Sequence, residues 1–455
     1  MALLGVDDGG ELAFVERVSH DPDNKQAINS LVDQKLAEIH KKWQFHEDQV
    51  RRLTPSQFVI PGFIDTHIHA PQFVFTGTGY DLTLLQWLEK YTFPREAAFK
   101  SSDYAKECFH KVVRRTAMCG TTTACYFATT HLEASKTLAD VVDRVGQRAF
   151  IGKVNMDRNS PDYYTETTEE SIESTLKIIE YIQGHLKSPL ITPVLTPRFV
   201  PSCTPELMKA LGDIAAKHNL PIQSHLSETP SELEWVASLH PEAHSYTDVY
   251  DRFGLLTSRT LMAHCVHLSR QERDLLRDRQ VGISHCPSSN FCLHSGVMNL
   301  RRLLQEGHHK IGLGTDVAGG YSPSIMDAMR QAIIASKVIH VDSRERLSEA
   351  KKSGKLNQEV EGEFQMFEPL SFSEAFYLGT LGGAKVLGIE KIVGNFEPGK
   401  SFDALIIDIA GDGRKTTVET FSHDDPISIF EKFIYLGDDR NIADVYVGSK
   451  GCISR

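Results

Sequence analysis

The sequence predicts an α/β chain, a (β/α)8 barrel carrying a small β domain built from both termini. Three observations carry this expectation. Eight short runs rich in β-branched or apolar residues alternate with longer helical patterns over about 250 residues, the rhythm of parallel strands and crossover helices. The two flanks read instead as turn-bounded β segments without long helices between them. At 455 residues the chain is also longer than one barrel needs, which leaves room for an appendage. An open doubly wound sheet shares the alternation, and the strand count favours the barrel.

Taken in order, residues 1–60 supply the first part of the small domain, with ELAFVERV as a partner strand. Residues 61–388 form the barrel. Its strand candidates are QFVIPGFIDTH to His67, TTTACYFATT to Thr130, RAFIGKVNM to Met156, LITPVLTPRFV around Arg198, LPIQSH to His225, TLMAH to His264, VGISHCP to Pro287 and IGLGTD to Asp316. Between them TPELMKALGDIAAKH reads as a helix. Thr204 is its N-cap, Pro205 fits the first position, where no N–H is needed, and Glu206 faces the positive end of the dipole. Leu207 stands where a capping box would need Glu or Gln. Residues 342–363 are charged and poor in large apolar groups, so they read as a solvated loop. Residues 389–455, with FDALIIDIA and NIADVYVGSK, complete the small domain.

Composition bounds the function. Hydrophobic residues at 41% and charged residues at 24% are globular values, which excludes collagen-like and disordered chains. A formal charge of −11 offers no basic field to nucleic acid or an anionic membrane. MALLGVDDGGEL lacks the basic start of a leader, and no run of 18 apolar residues follows. Eight scattered Cys read as reduced thiols, so the expected compartment is the cytoplasm. Twenty His direct attention to metal and proton chemistry.

His67-Ile68-His69 is the most informative motif, because residues i and i+2 of a strand face the same side and can grip one ion with two imidazoles. Chance alone supplies about one H-x-H at this His content, so the motif needs company. His225, His264 and Asp316 provide it. Each stands at the last residue of a separate predicted strand, where barrel enzymes place reactive groups. Imidazoles with a carboxylate suit Zn2+, and Fe2+ or Mn2+ accept the same donors. Glu228 follows His225 by three residues. A carboxylate just past the strand can take a proton from an attacking water and pass it to a leaving nitrogen. Against these readings, Asp316 alone would serve as a helix cap and Glu228 as a first-turn charge.

Other features carry less. His131-Leu132-Glu133 matches the H-x-E of cytidine-deaminase zinc sites, but the P-C-x-x-C partner is absent. There is no G-x-G-x-x-G and no P-loop. His308 and His309 read as a wet helix end.

P-G-F-I-D-T-H-I-H at 61–69, S-H-x-x-E at 224–228, M-A-H at 262–264, S-H-C-P-x-S-N at 284–290 and G-L-G-T-D at 312–316 resemble the metal-dependent amidohydrolase superfamily. H-I-H-A-P-Q, L-x-W-L-x-K-Y-T-F-P, G-T-T-T-A-C-Y-F-A-T, T-P-R-F and G-T-D-V-A-G-G-Y-S look like its guanine deaminases, and the resemblance runs from about residue 50 to 448. It implies one Zn2+ per chain on His67, His69, His225 and Asp316, with Glu228, His264 and Asp316 as the catalytic set. It implies guanine as substrate, held by Gln72, Arg198, Phe199 and His225. An amide, a guanidinium and an aromatic face are apt partners for a ring that presents O6, N1, N7 and an amine.

A homodimer is implied by the resemblance alone. The competing expectations are a related aminohydrolase acting on another purine, a pyrimidine or a triazine, and a non-catalytic scaffold protein. Relatives carry an extra β segment before the one resembling LLGVDDGGELAFVE, and some end in a PDZ-type tail, which GCISR does not match.

Overall fold

A computed structural model describes residues 2–18, 25–354, 368–410, 416–448 and 450–454. At the N-terminal end, β1 (Ala2–Val6) and β2 (Leu12–Arg17) pair antiparallel as a separate two-stranded sheet. Next, β3 (Gln57–Pro61) passes through Gly62 straight into β4 (Phe63–His69). The barrel continues with β5 (Thr121–Phe127), β6 (Arg148–Gly152) and its extension β7 (Val154–Asn155), then β8 (Ile191–Pro193) and its extension β9 (Thr196–Pro197). It is completed by β10 (Ile222–Leu226), β11 (Thr260–His264), β12 (Gly282–His285) and β13 (Ile311–Leu313).

All these barrel pairings are parallel. They run β4-β5-β6-β8 and β10-β11-β12-β13, joined by the Leu195–Ile222 bridge. Closure comes where the Asp316 amide donates to the His67 carbonyl at 2.8 Å and the His69 amide to the Val317 carbonyl at 3.0 Å. The result is a TIM-type (β/α)8 barrel. Every residue of β4 and β5 is buried, as strands covered on both faces require.

Three further strands, β14 (Ala404–Asp408), β15 (Ile442–Val447) and β16 (Lys450–Ser454), join β3 in an antiparallel sheet ordered β16-β15-β14-β3. ELAFVERV forms a strand, as expected, but not one of that sheet. It pairs with Ala2–Val6 and meets the C-terminal segment at the Glu11–Ser401 bridge, where the Leu12 amide donates to the Lys400 carbonyl at 2.7 Å and the Leu12 carbonyl accepts from the Gly399 amide at 2.8 Å, and Gln57–Pro61 is the N-terminal strand of the larger sheet. The direct run of QFVIP into FIDTHIH binds the sheet to the barrel. Arg148, at the start of β6, reinforces that joint with a bidentate contact to Asp403, at 3.1 and 3.2 Å.

Pro193 and Pro197, which cannot donate to a ladder, mark the ends of two short pieces in LITPVLTPRFV. The helix after it, Pro205–His218, begins as its sequence dictates, with Thr204 Oγ1 accepting the Leu207 amide at 3.2 Å. Asp342–Lys352, expected in a loop, is the end of a helix spanning Ile325–Lys352. Its Arg, Glu, Leu, Ala and Lys are good helix formers, and Arg346 pairs with Asp342 one turn away. Ser353 and Gly354 form a turn after it, and residues 355–363 of the expected loop lie outside the described residues. His308 is buried, whereas His309 is exposed.

Gly212 allows that Pro205–His218 helix to approach its neighbour. A Cβ there would fall 2.1 Å from the Phe253 carbonyl oxygen. Gly212→Ala is expected to lower the urea midpoint, costing about 2–3 kcal/mol, because backbone rather than a side chain has to yield. An unchanged midpoint would show that the contact relaxes freely.

Candidate active site

The barrel's carboxyl edge gathers the reactive groups. His67 and His69 project to the same side of β4, as strand alternation demands. His225 lies one residue before the end of β10, and His264 ends β11. Asp316 stands three residues beyond β13 rather than on it. Its loop is pinned to β4 by Asp65, whose carboxylate accepts from the amide and hydroxyl of Thr315 at 3.0 and 2.5 Å. Ser227, His264, Cys265 and Asp316 all have φ between 47° and 70°. Left-handed backbone at non-glycine residues is strain, and here it clusters along one rim.

Four buried side chains, His67, His69, His225 and Asp316, offer ligand atoms that all lie within 4.8 Å of one another. Nε2 of His69 and of His225 face each other at 3.1 Å, and Asp316 Oδ1 is 3.2 Å from His67 Nε2 and 3.4 Å from His69 Nε2. Tetrahedral ligands at zinc distances stand about 3.4 Å apart, so the spacing suits one ion. His225 Nδ1 donates to the Arg198 carbonyl at 2.6 Å, which leaves the lone pair of Nε2 for the ring's centre. Burial, with His67 and His264 nearby, holds His225 well below the usual imidazole range, in the neutral form a metal requires. Both nitrogens of His67 are buried and lack hydrogen-bond partners, an arrangement that a metal bond resolves. The donor set therefore fits a divalent cation such as zinc.

Beside this ring, His264 Nε2 lies 3.4 Å from Glu228 Oε2 and 3.7 Å from Asp316 Oδ2. Its Nδ1 donates to Asn290 Oδ1 at 2.9 Å, which fixes the tautomer. Glu228 accepts from Ser295 Oγ at 2.9 Å. Burial is the main cause that pushes its carboxyl up to about 7, and His264 opposes the shift. Glu232, capped by the Tyr246 hydroxyl at 2.8 Å, accepts the Glu228 amide at 2.8 Å and so sets the turn that aims Glu228 inward.

A pocket of about 420 Å3 opens above the ring. Gln72, Arg198, Phe199, His225, Glu228, His264 and Asp316 line it, with an apolar wall of Leu84, Trp87, Leu88 and Leu293. Of the site residues expected from the sequence, all but His67 line this space, and His67 belongs to the ring with His69, His225 and Asp316, which do. The sequence reading missed Glu96, Tyr164, Asn290 and Ser295. Glu96 is fully buried and binds two of the polar pocket residues, accepting from Arg198 at 2.7 and 3.2 Å and from Gln72 at 2.9 Å. Only the Y-T-F-P motif two residues upstream pointed toward it. Asn290 lay in S-H-C-P-x-S-N, but nothing in the spacing showed that it would meet His264.

Residues 58–451 match the amidohydrolase family. The chain is 45% identical to guanine deaminase of Mus musculus over 98% of its own length and 91% of that protein. It is 46% identical to guanine deaminase of Dictyostelium discoideum, over 98% and 92% of the two chains. Among solved structures, guanine deaminase from C. acetobutylicum with guanine bound in its active site superposes with a TM-score of 0.81, at 37% identity over 99% of this chain and 94% of that one.

Proposed function

This chain belongs to the amidohydrolase family, and we infer that it is an enzyme that hydrolyses guanine to xanthine and ammonia. The observation that carries the reading is one pocket that joins a metal-competent ring to a buried carboxylate and to the polar side chains of Gln72 and Arg198. Relatives named for this activity, at 44–46% identity over nearly the whole chain, support it.

His67, His69, His225 and Asp316 would hold zinc, one per chain, and Fe2+ or Mn2+ would accept the same donors. Bound there, zinc supplies a Lewis acid that makes water nucleophilic at neutral pH. Glu228 takes one proton of the water that attacks C2 and gives it to the ring nitrogen, then carries the second, from the hydroxyl now on C2, to the amine as the C2–N bond breaks and the carbonyl forms. His264, aimed by Asn290, orients the nucleophile with Asp316 and offsets the charge that develops. Gln72 and Arg198 meet the polar edge of the base, Phe199 packs on it, and His225 closes the space from the metal side.

A substrate panel tests this reading. Guanine should be deaminated, with xanthine as product, in strong preference to adenine, cytosine and aminotriazines. Turnover of one of those in place of guanine would favour a different aminohydrolase of the family. A metal-free, inert chain would favour the scaffold reading.

Asn290→Ala leaves the His264 ring free to turn. Turnover should fall about 10–100-fold with a smaller change in KM, the cost typical of losing a residue that orients a working imidazole. An unchanged kcat would remove Asn290 from this role.

We also propose a homodimer in the cytoplasm. Ile334, Val338 and Val341 form an apolar stripe on the Ile325–Lys352 helix, each about half exposed at 48–53%. Cys125, Cys203, Cys265 and Cys286 are buried free thiols, as in a reducing compartment. Among the described residues no helix is long and apolar enough to cross a membrane. Sedimentation at the mass of two chains, lost in Val338→Asp, would support the dimer, and a monomer at micromolar concentration would refute it.

A further inference from the structure

We propose that Glu96 sets the charge preference of the purine site: by neutralising Arg198 it makes the pocket bind neutral bases and release anionic ones. The proposal rests on the guanine reading above.

Arg198 and Glu96 are 3% and 0% exposed, and their bidentate contact has Nη1 to Oε2 at 2.7 Å and Nη2 to Oε1 at 3.2 Å. Two further donors complete the carboxylate, Gln72 Nε2 on Oε1 at 2.9 Å and the Tyr164 hydroxyl on Oε2 at 2.8 Å. Glu96 itself does not line the pocket, whereas Gln72 and Arg198 do. It is a positioning residue, and its second effect is electrostatic.

A lone guanidinium in a buried pocket attracts any anion strongly, and a matched pair presents little net charge. The other charged or titratable groups that act on Arg198 are Asp316, His67, His69 and the Tyr164 phenol. Its guanidinium also lies over the Phe93 ring, 5.5 Å from the centroid. Glu96 is thus the one carboxylate in direct contact with Arg198 among the described residues.

The chemistry gives that neutrality a use. Guanine enters as a neutral base. Exchange of its 2-amino group for a 2-oxo group puts an acidic N–H at ring position 3, beside the new carbonyl, so xanthine is the stronger acid and is partly anionic near neutral pH. An unpaired Arg198 would hold that anion. Paired with Glu96, it keeps its hydrogen-bonding edge for a neutral substrate without retaining the charged product.

The test is calorimetric binding of xanthine and hypoxanthine to the metal-loaded protein at one mildly alkaline pH, where xanthine is largely an anion and hypoxanthine largely neutral. Glu96→Gln should tighten xanthine about tenfold and move hypoxanthine less than about threefold, because only the anion gains from an uncompensated cation. Tyr164→Phe, which removes a hydrogen bond but no charge, should shift neither preference. Equal changes for both ligands in Glu96→Gln, or none for xanthine, would overturn the proposal. Should Glu96→Gln fail to fold, Arg198→Gln reads the same balance from the other side. It should weaken xanthine about tenfold more than hypoxanthine, and equal losses would overturn the proposal. Guanine turnover by the native protein is followed in parallel. A chain that binds both ligands with the expected pattern but leaves guanine untouched refutes the functional reading alone, and one that binds neither refutes the proposal.

Discussion

Glu228→Gln is expected to cut guanine turnover by at least about 10^3-fold while the protein stays folded and metal-loaded. The substitution is close to isosteric. It retains an oxygen that can accept from Ser295 Oγ and leaves the ligand ring untouched. What it removes is the ability to accept and return a proton 3.4 Å from His264 Nε2, at the point where the pocket meets the ring. Burial first of all pushes the native carboxyl up to about 7, so a small displacement converts it between acid and base near neutral pH. The carboxylate is the form that takes the proton from water. Native turnover should therefore fall as pH drops through the Glu228 pKa, a limb that a divalent cation in the ring moves to lower pH. The residual rate of Glu228→Gln should lack that limb. A zinc-replete variant with native kcat would remove Glu228 from the mechanism.

Asp316→Asn should be comparably severe, through loss of the metal. Asparagine tolerates left-handed backbone better than most residues, so it can occupy φ of 47° at this position without adding strain. The loop also remains tied to β4 by the Asp65–Thr315 contacts. The change is then confined to the ligand: an anionic oxygen 3.2 Å from His67 Nε2 and 3.4 Å from His69 Nε2 becomes neutral. Metal content and turnover should fall together. The thermal midpoint should fall with them, because a ligand present at about a thousand times its Kd stabilises the folded chain by about 4 kcal/mol. Native stability with full activity in Asp316→Asn would contradict its place in the ring.

The parts of this molecule legible in its sequence are those set by local periodicity. His67 and His69 announce themselves because two residues on a strand share a face, and His225 and His264 because each closes a recognisable apolar run. Asp316 was placed at a strand end for the same reason, yet it sits three residues past β13, on a loop shaped by Asp65 from another strand. Contacts made across long stretches of chain left no such mark. Glu96 meets Gln72 and Arg198 across separations of 24 and 102 residues, so as a sequence letter it was one more acidic residue near a helix. Asn290 reaches His264 across 26 residues. Charge content misled at Asp342–Lys352, where well-paired helix formers looked like a solvated loop. ELAFVERV was legible as a strand, but its main partner, Ala2–Val6, was not, since an apolar strand does not name its partner.

The most direct test of the central claim is guanine turnover by chelator-stripped protein as zinc is added back, with bound metal assayed on the same samples. Turnover should be absent from the stripped chain and rise linearly to a plateau at about one zinc per chain, with xanthine as product. Full turnover without metal, or none at full occupancy in a folded chain, would contradict it.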